Sequence, residues 1–452
     1  MKELFVDFGT SRGPVKPMHA VNNGPIYKFT ADQRVTNMDA YKAAGIPFAR
    51  THDASFNATY GGEHTVDVMA IFPNFDADAS DPASYDFTLT DEYLKVIEFA
   101  GTKVFYRLGH KIEHAQKKYG TLPPKDFKKW AVICEHIIRH YTEGWANGFH
   151  MDIDYWEIWN EPDMVADDAP PIQKKCWGGT KAQFFEFYET TAKHLKSCFP
   201  NRKIGGPALC HDMNWAHDFL VYMAQREVPL DFFSWHVYSA KPSRNAELAV
   251  KVRAMLDETG YTHAESILNE WNYVKDWGGD AWLYSLKAEK SLKGASYTAA
   301  VMSLCQYAPV DMLMYYDARP CAMNGMFCTD WVCECLKGYY PFKMFNTLYT
   351  LGESVLCRSE QPHVYACAAK SETEAAVMLT YFQDDDTAEP CSVKLNLSGF
   401  GSPEGVAARF YLLDEENDLA LVREERLSGD DFSVYLTLTR QSSYLVRLEK
   451  LG

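Results

Sequence analysis

Residues 154–162 read DYWEIWNEP and predict a buried strand that ends abruptly. The aromatic and β-branched side chains favour a pleated strand. Pro162 cannot donate a hydrogen bond to a neighbouring strand, so the strand should stop near it. Glu161 then lies at the carboxyl-terminal end of the strand, among aromatic rings. Burial favours the protonated form of a carboxyl group, and a general acid needs that form. The alternative is an ordinary glutamate exposed in a turn.

Residues 266–272 read SILNEWN and supply a candidate partner for Glu161. Ile267 and Leu268 are again strand-like, and Glu270 falls at the end of the run. Two glutamates at the ends of two different strands predict one shared rim. In glycoside hydrolysis one carboxyl group protonates the leaving oxygen and the other attacks the anomeric carbon. The alternative for Glu270 is a salt bridge at the rim.

Short apolar runs alternate with amphipathic helical stretches through most of the chain, which is typical of an α/β fold. Eight such runs are predicted as strands, at 17–21, 46–51, 103–108, 154–159, 203–209, 232–238, 266–270 and 312–316. Eight strands with helices between them predict a (β/α)8 TIM barrel, whose active site lies at the carboxyl-terminal ends of the strands. Both glutamates fall at that end.

The pattern changes after about residue 351, where short alternating segments are separated by turn residues and no long amphipathic helix remains. This pattern predicts an antiparallel β-sandwich. The run LFVDF at 4–8 is also strand-like. We therefore predict an N-terminal strand within residues 1–15 that joins the β-sandwich, a catalytic barrel over residues 16–348 and an accessory β-sandwich over residues 349–452.

Composition and charge exclude several classes of partner. The formal net charge of −16 argues against nucleic acid or an anionic membrane surface. No run of about 18 apolar residues predicts a transmembrane helix, and the first residues lack the apolar segment of a signal peptide. Twelve cysteines in such a chain predict reduced thiols in the cytoplasm. Four of them cluster between 321 and 335, but their irregular spacing does not favour a zinc site, and we expect no metal.

The chain resembles the clan A retaining glycosidases, and glycoside hydrolase family 39 in particular, which contains β-xylosidases and α-L-iduronidases. The segments that carry the resemblance extend over most of the chain. They are Arg50-x-His52, PPKDFKKW (123–130), EIWNEPD (157–163), IGGPAL (204–209), FFSWHVY (232–238), ILNEWN (267–272) and YYPFKMFN (339–346). The resemblance implies a barrel followed by a β-sandwich, in agreement with the pattern.

The same resemblance implies roles for individual residues. Glu161 corresponds to the acid/base and Glu270 to the nucleophile of the clan. Asn160 corresponds to the asparagine that binds the sugar 2-hydroxyl, and the alternative is a plain turn residue. His236 and Tyr238 lie two apart and so point to one face of their strand. Tyr238 is expected to donate to the nucleophile and His236 to lie near the acid/base or the sugar, unless both are core residues.

Arg50 is expected to hold Glu270 anionic by charge pairing. The alternative is a structural ion pair with Glu157, which shares the strand parity of Glu161. Further candidates for substrate binding at the rim, each with satisfied polar surface as the alternative, are His52, Asp53, His110, Tyr316 and Asp317.

These observations predict a retaining, exo-acting glycoside hydrolase of the β-xylosidase type that acts through a covalent glycosyl-enzyme. The same mechanism on a β-glucoside, β-galactoside, arabinoside or uronide is the alternative, and a non-catalytic carbohydrate-binding protein is a third reading. Two carboxyl groups suffice for this chemistry, so no cofactor is expected. The partner is a glycoside or small oligosaccharide, and enzymes of this architecture often form homo-oligomers. The sequence Asn269-Glu270-Trp271 and the loop 318–331 depart from the family pattern and leave the sugar open.

Overall fold

The computed structural model describes residues 2–29, 34–52, 66–329 and 333–452. The strands are β1 (Lys2–Pro14), β2 (Ala20–Asn22), β3 (Tyr27–Phe29), β4 (Arg34–Thr36), β5 (Phe48–Arg50), β6 (Lys103–Leu108), β7 (Tyr155–Ile158), β8 (Lys203–Leu209), β9 (Phe232–Tyr238), β10 (Glu265–Asn272), β11 (Met312–Tyr315), β12 (Glu353–Ser359), β13 (Val364–Lys370), β14 (Glu374–Tyr381), β15 (Cys391–Ser398), β16 (Val406–Leu413), β17 (Asp418–Leu427), β18 (Asp431–Leu438) and β19 (Ser443–Lys450). The α-helices are α1 (Met38–Ala43), α2 (Val68–Ile71), α3 (Thr88–Phe99), α4 (Phe127–Glu143), α5 (Lys181–Cys198), α6 (Met213–Gln225), α7 (Ser243–Glu258), α8 (Gly279–Glu289), α9 (Leu292–Tyr307) and α10 (Tyr340–Leu351).

Local sequence explains where the longer helices begin. Asp126 precedes α4 and accepts hydrogen bonds from the first backbone N–H groups of that helix. Thr180 and Gln183 form a reciprocal capping box at the start of α5. Each cap satisfies N–H groups that have no partner within the helix. Within the described residues, none of the helices combines the length and the apolar character needed to cross a membrane.

Parallel strands close into an eight-stranded barrel in the order β2, β5, β6, β7, β8, β9, β10, β11. Each strand pairs with the next along the chain, and β11 returns to pair with β2. The predicted TIM barrel is thereby confirmed, and its strands coincide closely with the eight predicted runs. The first run shows the largest difference, since β2 begins at Ala20 and not at residue 17.

The barrel interior is apolar at one end and polar at the other. The inward-facing residues at the amino-terminal ends of the strands form one apolar cluster, made of Ala20, Phe105, Tyr155, Phe232, Ile267, Met312 and Met314. Two residues further along the strands, the inward positions are Glu157 on β7, Ser234 on β9 and Asn269 on β10, all fully buried. Alternation of side chains along a strand therefore places a polar layer directly above the apolar floor, at the end that carries the two glutamates.

The remaining strands form a nine-stranded sheet in the order β17, β16, β19, β14, β13, β12, β1, β15, β18. Strand β1 lies inside this sheet, antiparallel to β12 and parallel to β15. The sheet is therefore mostly antiparallel, as predicted, with one parallel pair. The antiparallel pair of β1 and β12 follows from chain direction, because β1 runs toward the barrel while β12 runs away from it, and Val15 N donates to the Gly352 carbonyl where the two meet. Apolar residues of β1 and of the C-terminal strands share one core.

Candidate active site

Glu161 and Glu270 meet at the carboxyl-terminal end of the barrel. Their side chains are almost fully buried, with 5% and 4% exposure. One carboxylate oxygen of each and a ring nitrogen of His236 all lie within 4.8 Å of one another. Nδ1 of His236 is 2.8 Å from Oε1 of Glu161 and 3.6 Å from Oε2 of Glu270. The two glutamates predicted to share a rim therefore face each other across one imidazole ring.

The backbone around Glu161 is held in an unusual conformation. Trp159 and Glu161 have φ values of 76° and 48°, in the left-handed region that non-glycine residues seldom adopt. Glu161 N donates to the carbonyl of Ala208 on the next barrel strand, over 2.9 Å. Such strain persists where surrounding contacts impose it, and it is common at functional sites. Here it turns the chain sharply after β7 and directs the Glu161 carboxyl group inward.

Three side chains hold the carboxylate of Glu270. Arg50 Nη1 donates to Oε1 over 2.7 Å, and His52 Nε2 lies 3.2 Å from the same oxygen. The Tyr238 hydroxyl donates to Oε2 over 2.8 Å. Burial raises the pKa of Glu270, but the neighbouring His236, His52 and Arg50 outweigh burial, and the pKa lies well below its ordinary value. Glu270 is therefore an anion held in a fixed orientation, as a nucleophile requires.

Arg50 is the centre of the polar layer. Sequence analysis left open whether Arg50 pairs with Glu270 or with Glu157, and the structure shows both pairs. Its Nε donates to Oε2 of Glu157 over 2.6 Å while Nη1 donates to Glu270 and to the Asn22 amide oxygen. Burial alone would lower the pKa of Arg50, but Glu157 and Glu270 raise it, so the guanidinium remains charged. The second oxygen of Glu157 accepts from Ser234 and Asn269.

Asn160 has one half of its amide satisfied and the other half free. Its Oδ1 accepts from Nη2 of Arg50 over 2.7 Å. Its Nδ2 is buried and has no hydrogen-bond partner among the described residues. A buried donor without a partner costs free energy unless a ligand supplies an acceptor. The amide nitrogen next to Glu161 is thus available for a substrate hydroxyl.

A cavity of about 1360 Å³ opens above the two glutamates. Of the predicted rim residues, His52 and Tyr316 line it, whereas Asp317 is buried behind it, where its carboxylate accepts from Asn23 over 3.1 Å. His110 instead lines a neighbouring cavity of about 230 Å³, and its Nε2 lies 3.7 Å from Asp67. Asp53 lies outside the described residues. The cavity is large enough for more than one sugar ring.

The cluster of Glu161, His236 and Glu270 is also compact enough to contact a single metal ion. The charges around it argue against such an ion. Arg50 and Tyr238 already donate to the two oxygens of Glu270. The guanidinium of Arg50, 2.7 Å from Oε1, would repel a cation bound to the same carboxylate. The donor set therefore suits an organic substrate better than a metal.

Sequence reasoning missed several residues that shape the site. Cys176 Sγ lies 3.7 Å from Oε2 of Glu161, and burial keeps the pKa of this thiol well above its ordinary value, so that it remains a donor. Asp163 accepts from the backbone N–H groups of residues 210–212 and so ties the loop after β8 to the Glu161 turn. Cys176 has no signal in the sequence, whereas Asp163 closes the EIWNEPD segment and could have been found there. Ser234 could have been found, because it lies two residues before His236 and shares its face of β9.

Two aromatic residues at the cavity mouth were also missed. Trp277 and Trp282 stack with ring centroids 5.3 Å apart, and Trp277 packs edge-on against Tyr238 at 5.0 Å. Trp277 remains 58% exposed. Partly exposed stacked rings at the mouth of the cavity form an apolar face on which a sugar ring can lie.

Comparison with known proteins identifies a family whose model covers the segment that carries both glutamates. Residues 35–271 match the model of glycosyl hydrolases family 39, more than half of the chain. A β-xylosidase of Geobacillus stearothermophilus is 29% identical over 237 residues, which are 46% of this chain and 44% of that protein. The match thus spans less than half the length of this curated relative.

Solved structures share the fold. A glucosidase from Croceicoccus marinus superposes with a TM-score of 0.80 at 20% identity, covering 100% of this chain and 99% of the other. A monomeric β-xylosidase from Caulobacter crescentus CB15 superposes with a TM-score of 0.74 at 16% identity, covering 100% of both chains. At these identities the likeness concerns the barrel and its β-domain. The matched segment, which covers more than half of the chain and includes both glutamates, establishes that the chain belongs to glycosyl hydrolases family 39.

Proposed function

We propose that this protein is a retaining glycoside hydrolase that uses Glu270 as nucleophile and Glu161 as acid/base. The observation that carries the proposal is the approach of the two carboxylates to within 4.8 Å, oxygen to oxygen. Retaining enzymes keep their carboxyl groups roughly 5–5.5 Å apart, whereas inverting enzymes leave about 6.5–9.5 Å for a water molecule. The short approach favours direct attack on the sugar.

In the first step, Glu270 attacks the anomeric carbon while Glu161 protonates the departing oxygen. The bond to the leaving group breaks and a covalent glycosyl-enzyme forms on Glu270. In the second step, Glu161 accepts a proton from water, and that water attacks the anomeric carbon and releases Glu270. Arg50, His52 and Tyr238 keep Glu270 anionic before attack and stabilise it again as it leaves.

His236 is the positioning residue for the acid/base. Its Nδ1 contacts Oε1 of Glu161, which leaves Oε2 directed toward Cys176 and the cavity. The free amide nitrogen of Asn160 is the proposed donor to the sugar 2-hydroxyl. A hydrogen bond to that hydroxyl becomes stronger as the ring approaches an oxocarbenium ion and so lowers the barrier.

The substrate proposed first is a β-xyloside cleaved from the end of a chain. The support for it is a curated relative, matched over 44% of its length, that is a β-xylosidase. Glucosides, galactosides, arabinosides and uronides are the alternatives. The proposed division assigns this chemistry to the barrel over residues 16–348 and an accessory role to residues 349–452 with the N-terminal strand.

A panel of nitrophenyl glycosides tests the proposal. We expect the β-D-xyloside to have the highest kcat/KM and xylotetraose to release xylose as the first product. A higher kcat/KM on another glycoside would change the proposed sugar specificity but leave the proposed mechanism intact. Release of xylobiose from the middle of xylotetraose would contradict exo action, and no hydrolysis across the panel would refute the proposed function.

A further inference from the structure

The cavity has a charge opposite to that of the whole chain. The protein has a formal net charge of −16. The cavity above the glutamates is nevertheless lined by basic side chains, namely Lys111, Lys175, Lys241, Arg244 and Arg319. Its acidic lining consists of Glu161, Glu270 and Glu247, and the first two are the proposed catalytic pair. Basic groups concentrated in a cleft of an acidic protein raise the local concentration of anionic ligands.

The basic residues of the cavity differ in whether a nearby carboxylate balances their charge. Arg319, on the loop after β11, has its Nε 3.2 Å from Oδ2 of Asp317, so that its charge is neutralised. Lys175, Lys241 and Arg244 form no ion pair with any carboxylate in the described ranges. These three residues are half-buried or exposed and border the cavity, where an anionic ligand can reach them.

The uncompensated basic residues follow β7 and β9, on the arc of the barrel that runs from Glu161 through β8 to His236. Lys175 directly precedes Cys176, whose Sγ contacts Oε2 of Glu161. Lys241 and Arg244 follow β9, whose His236 contacts Oε1 of Glu161 and whose Tyr238 contacts Oε2 of Glu270. In a retaining enzyme the acid/base protonates the leaving oxygen, so the leaving group occupies the half of the cavity next to it. The neutralised pair of Arg319 and Asp317 lies on a different loop, after β11.

We propose that the leaving-group half of the cavity binds an acidic sugar, one that carries a carboxylate or a sulfate, while the sugar cleaved from it is uncharged. The inference rests on the proposed function, because it uses the leaving-group side of Glu161. Trp277 and Trp282 line the same cavity and offer a stacked, partly exposed aromatic surface. A sugar ring with an anionic substituent uses both features, since its apolar face stacks on the indoles and its charge faces the cations.

One carboxylate lies among these cations. Glu247 follows Arg244 by three residues on α7 and also borders the cavity. It forms no ion pair with Arg244 in the described structure. One acidic group against three cations leaves this wall with a net positive charge, so Glu247 weakens the preference for an anion without reversing it.

Three disaccharides with the same cleaved sugar test the inference. The leaving sugar is glucose, glucuronic acid or glucose 6-sulfate. The sugar whose anomeric carbon is attacked is the same in all three, namely the one preferred in the nitrophenyl panel. We expect kcat/KM to be higher for one or both acidic disaccharides than for the neutral one, and this preference to shrink as salt is added. The ratio between carboxylate and sulfate substrates identifies which anion the site favours.

The double variant Lys241→Gln/Arg244→Gln provides the residue-level test. Exposed charge pairs each contribute roughly two- to five-fold, so removing two cations should lower the acidic-to-neutral ratio of kcat/KM by about tenfold. Lys251→Gln, an exposed lysine further along α7 that does not border the cavity, is the matched control and should keep the wild-type ratio. Equal kcat/KM for the three substrates, or an unchanged ratio in the double variant, overturns the inference.

The outcomes separate this inference from the proposed function. If nitrophenyl glycosides are hydrolysed but the acidic disaccharides are cleaved no faster than the neutral one, the proposed function stands and the acidic subsite is refuted. If no disaccharide is cleaved, calorimetric binding of the glucuronic acid and glucose disaccharides to the wild-type protein decides the inference alone. Tighter binding of the acidic disaccharide, lost in the double variant, supports the subsite, and equal binding refutes it.

Discussion

Tyr238 donates its hydroxyl hydrogen to Oε2 of Glu270 over 2.8 Å. Burial, and then the negative charge of Glu270, raise the pKa of Tyr238 well above its ordinary value, so the phenol remains a donor at all ordinary pH values. The bond therefore stabilises the ionised form of Glu270 and fixes the direction of its second oxygen.

Tyr238→Phe removes one donor from the proposed nucleophile and keeps the ring. Hydrogen bonds to charged groups contribute about 1.5–3 kcal/mol, so we expect kcat to fall by about 10- to 100-fold. The pKa of Glu270 should rise, and the acidic limb of the kcat/KM profile should move to higher pH. Tyr435→Phe, an exposed tyrosine of the β-domain, serves as the control. A wild-type profile for Tyr238→Phe would contradict this role.

Glu161→Ala separates the two steps of the proposed mechanism. General acid catalysis contributes typically 10²- to 10⁴-fold, so glycosides with a poor leaving group should lose about that much. Dinitrophenyl glycosides need little protonation and should still form the glycosyl-enzyme. Added azide should then accelerate turnover and yield a glycosyl azide with retained configuration, detected by NMR. Glu186→Ala, on the exposed face of α5, should behave as wild type. Equal losses on both leaving groups would argue against an acid/base role.

Asn160→Ala tests the free amide nitrogen beside Glu161. The loss of a hydrogen bond to the sugar 2-hydroxyl should lower kcat/KM on an ordinary glycoside by roughly tenfold or more. The matching 2-deoxy glycoside has no hydroxyl to bind, so the variant and the wild type should differ much less on it. A similar loss on both substrates would mean that Asn160 acts by holding Arg50, to which its Oδ1 is bonded, and not by binding sugar.

Arg50→Met should lower the free energy of unfolding and also abolish activity. The substitution leaves Glu157 and Glu270 as buried charges without their cation, and breaking a buried pair in this way costs about 3–5 kcal/mol. Urea denaturation measures the loss. Arg409→Met, which removes a guanidinium at the surface of the β-domain, is the control and should change the free energy of unfolding much less. Equal stability of the two variants would contradict the central place of Arg50 in the polar layer.

The low pKa of Glu270 also predicts a dependence of stability on pH. The unfolded chain has a glutamate pKa of roughly 4.3, while the folded pKa lies well below the ordinary value. The ionised group therefore stabilises the fold above the unfolded pKa, and this contribution is lost as pH falls through the folded one. We expect the free energy of unfolding of wild type to fall more steeply below about pH 4.5 than that of Glu270→Gln. Parallel curves would refute this assignment.

The sequence predicted the barrel because each strand ends in a recognisable group of polar residues after an apolar run. Glu161 and Glu270 could be located for the same reason, since a strand end fixes on which rim a side chain lies. Parity along β9 predicted that His236 and Tyr238 share a face, and the structure places both against the glutamates. Features set by neighbouring residues, such as where a strand ends and which side chains share its face, were therefore predictable.

Contacts between distant segments were not predictable in this way. Arg50 was expected to choose between Glu157 and Glu270, but its guanidinium has five N–H donors and bonds to both. Cys176 contacts Glu161 from a loop that has no periodic pattern, and His110, in the loop after β6, lines a second cavity. Loop conformation depends on packing against other segments, which a single sequence does not encode locally.

Trapping the glycosyl-enzyme is the most direct test of the central claim that Glu270 is the nucleophile of a retaining mechanism. A 2-deoxy-2-fluoro glycosyl fluoride of the preferred sugar slows both steps but leaves formation faster than hydrolysis, so the intermediate accumulates. Peptide mapping by mass spectrometry should then find one fluorosugar attached to the peptide that contains Glu270, and none in Glu270→Gln. Attachment to Glu161, or turnover of ordinary substrate with inverted product and no adduct, would contradict the account.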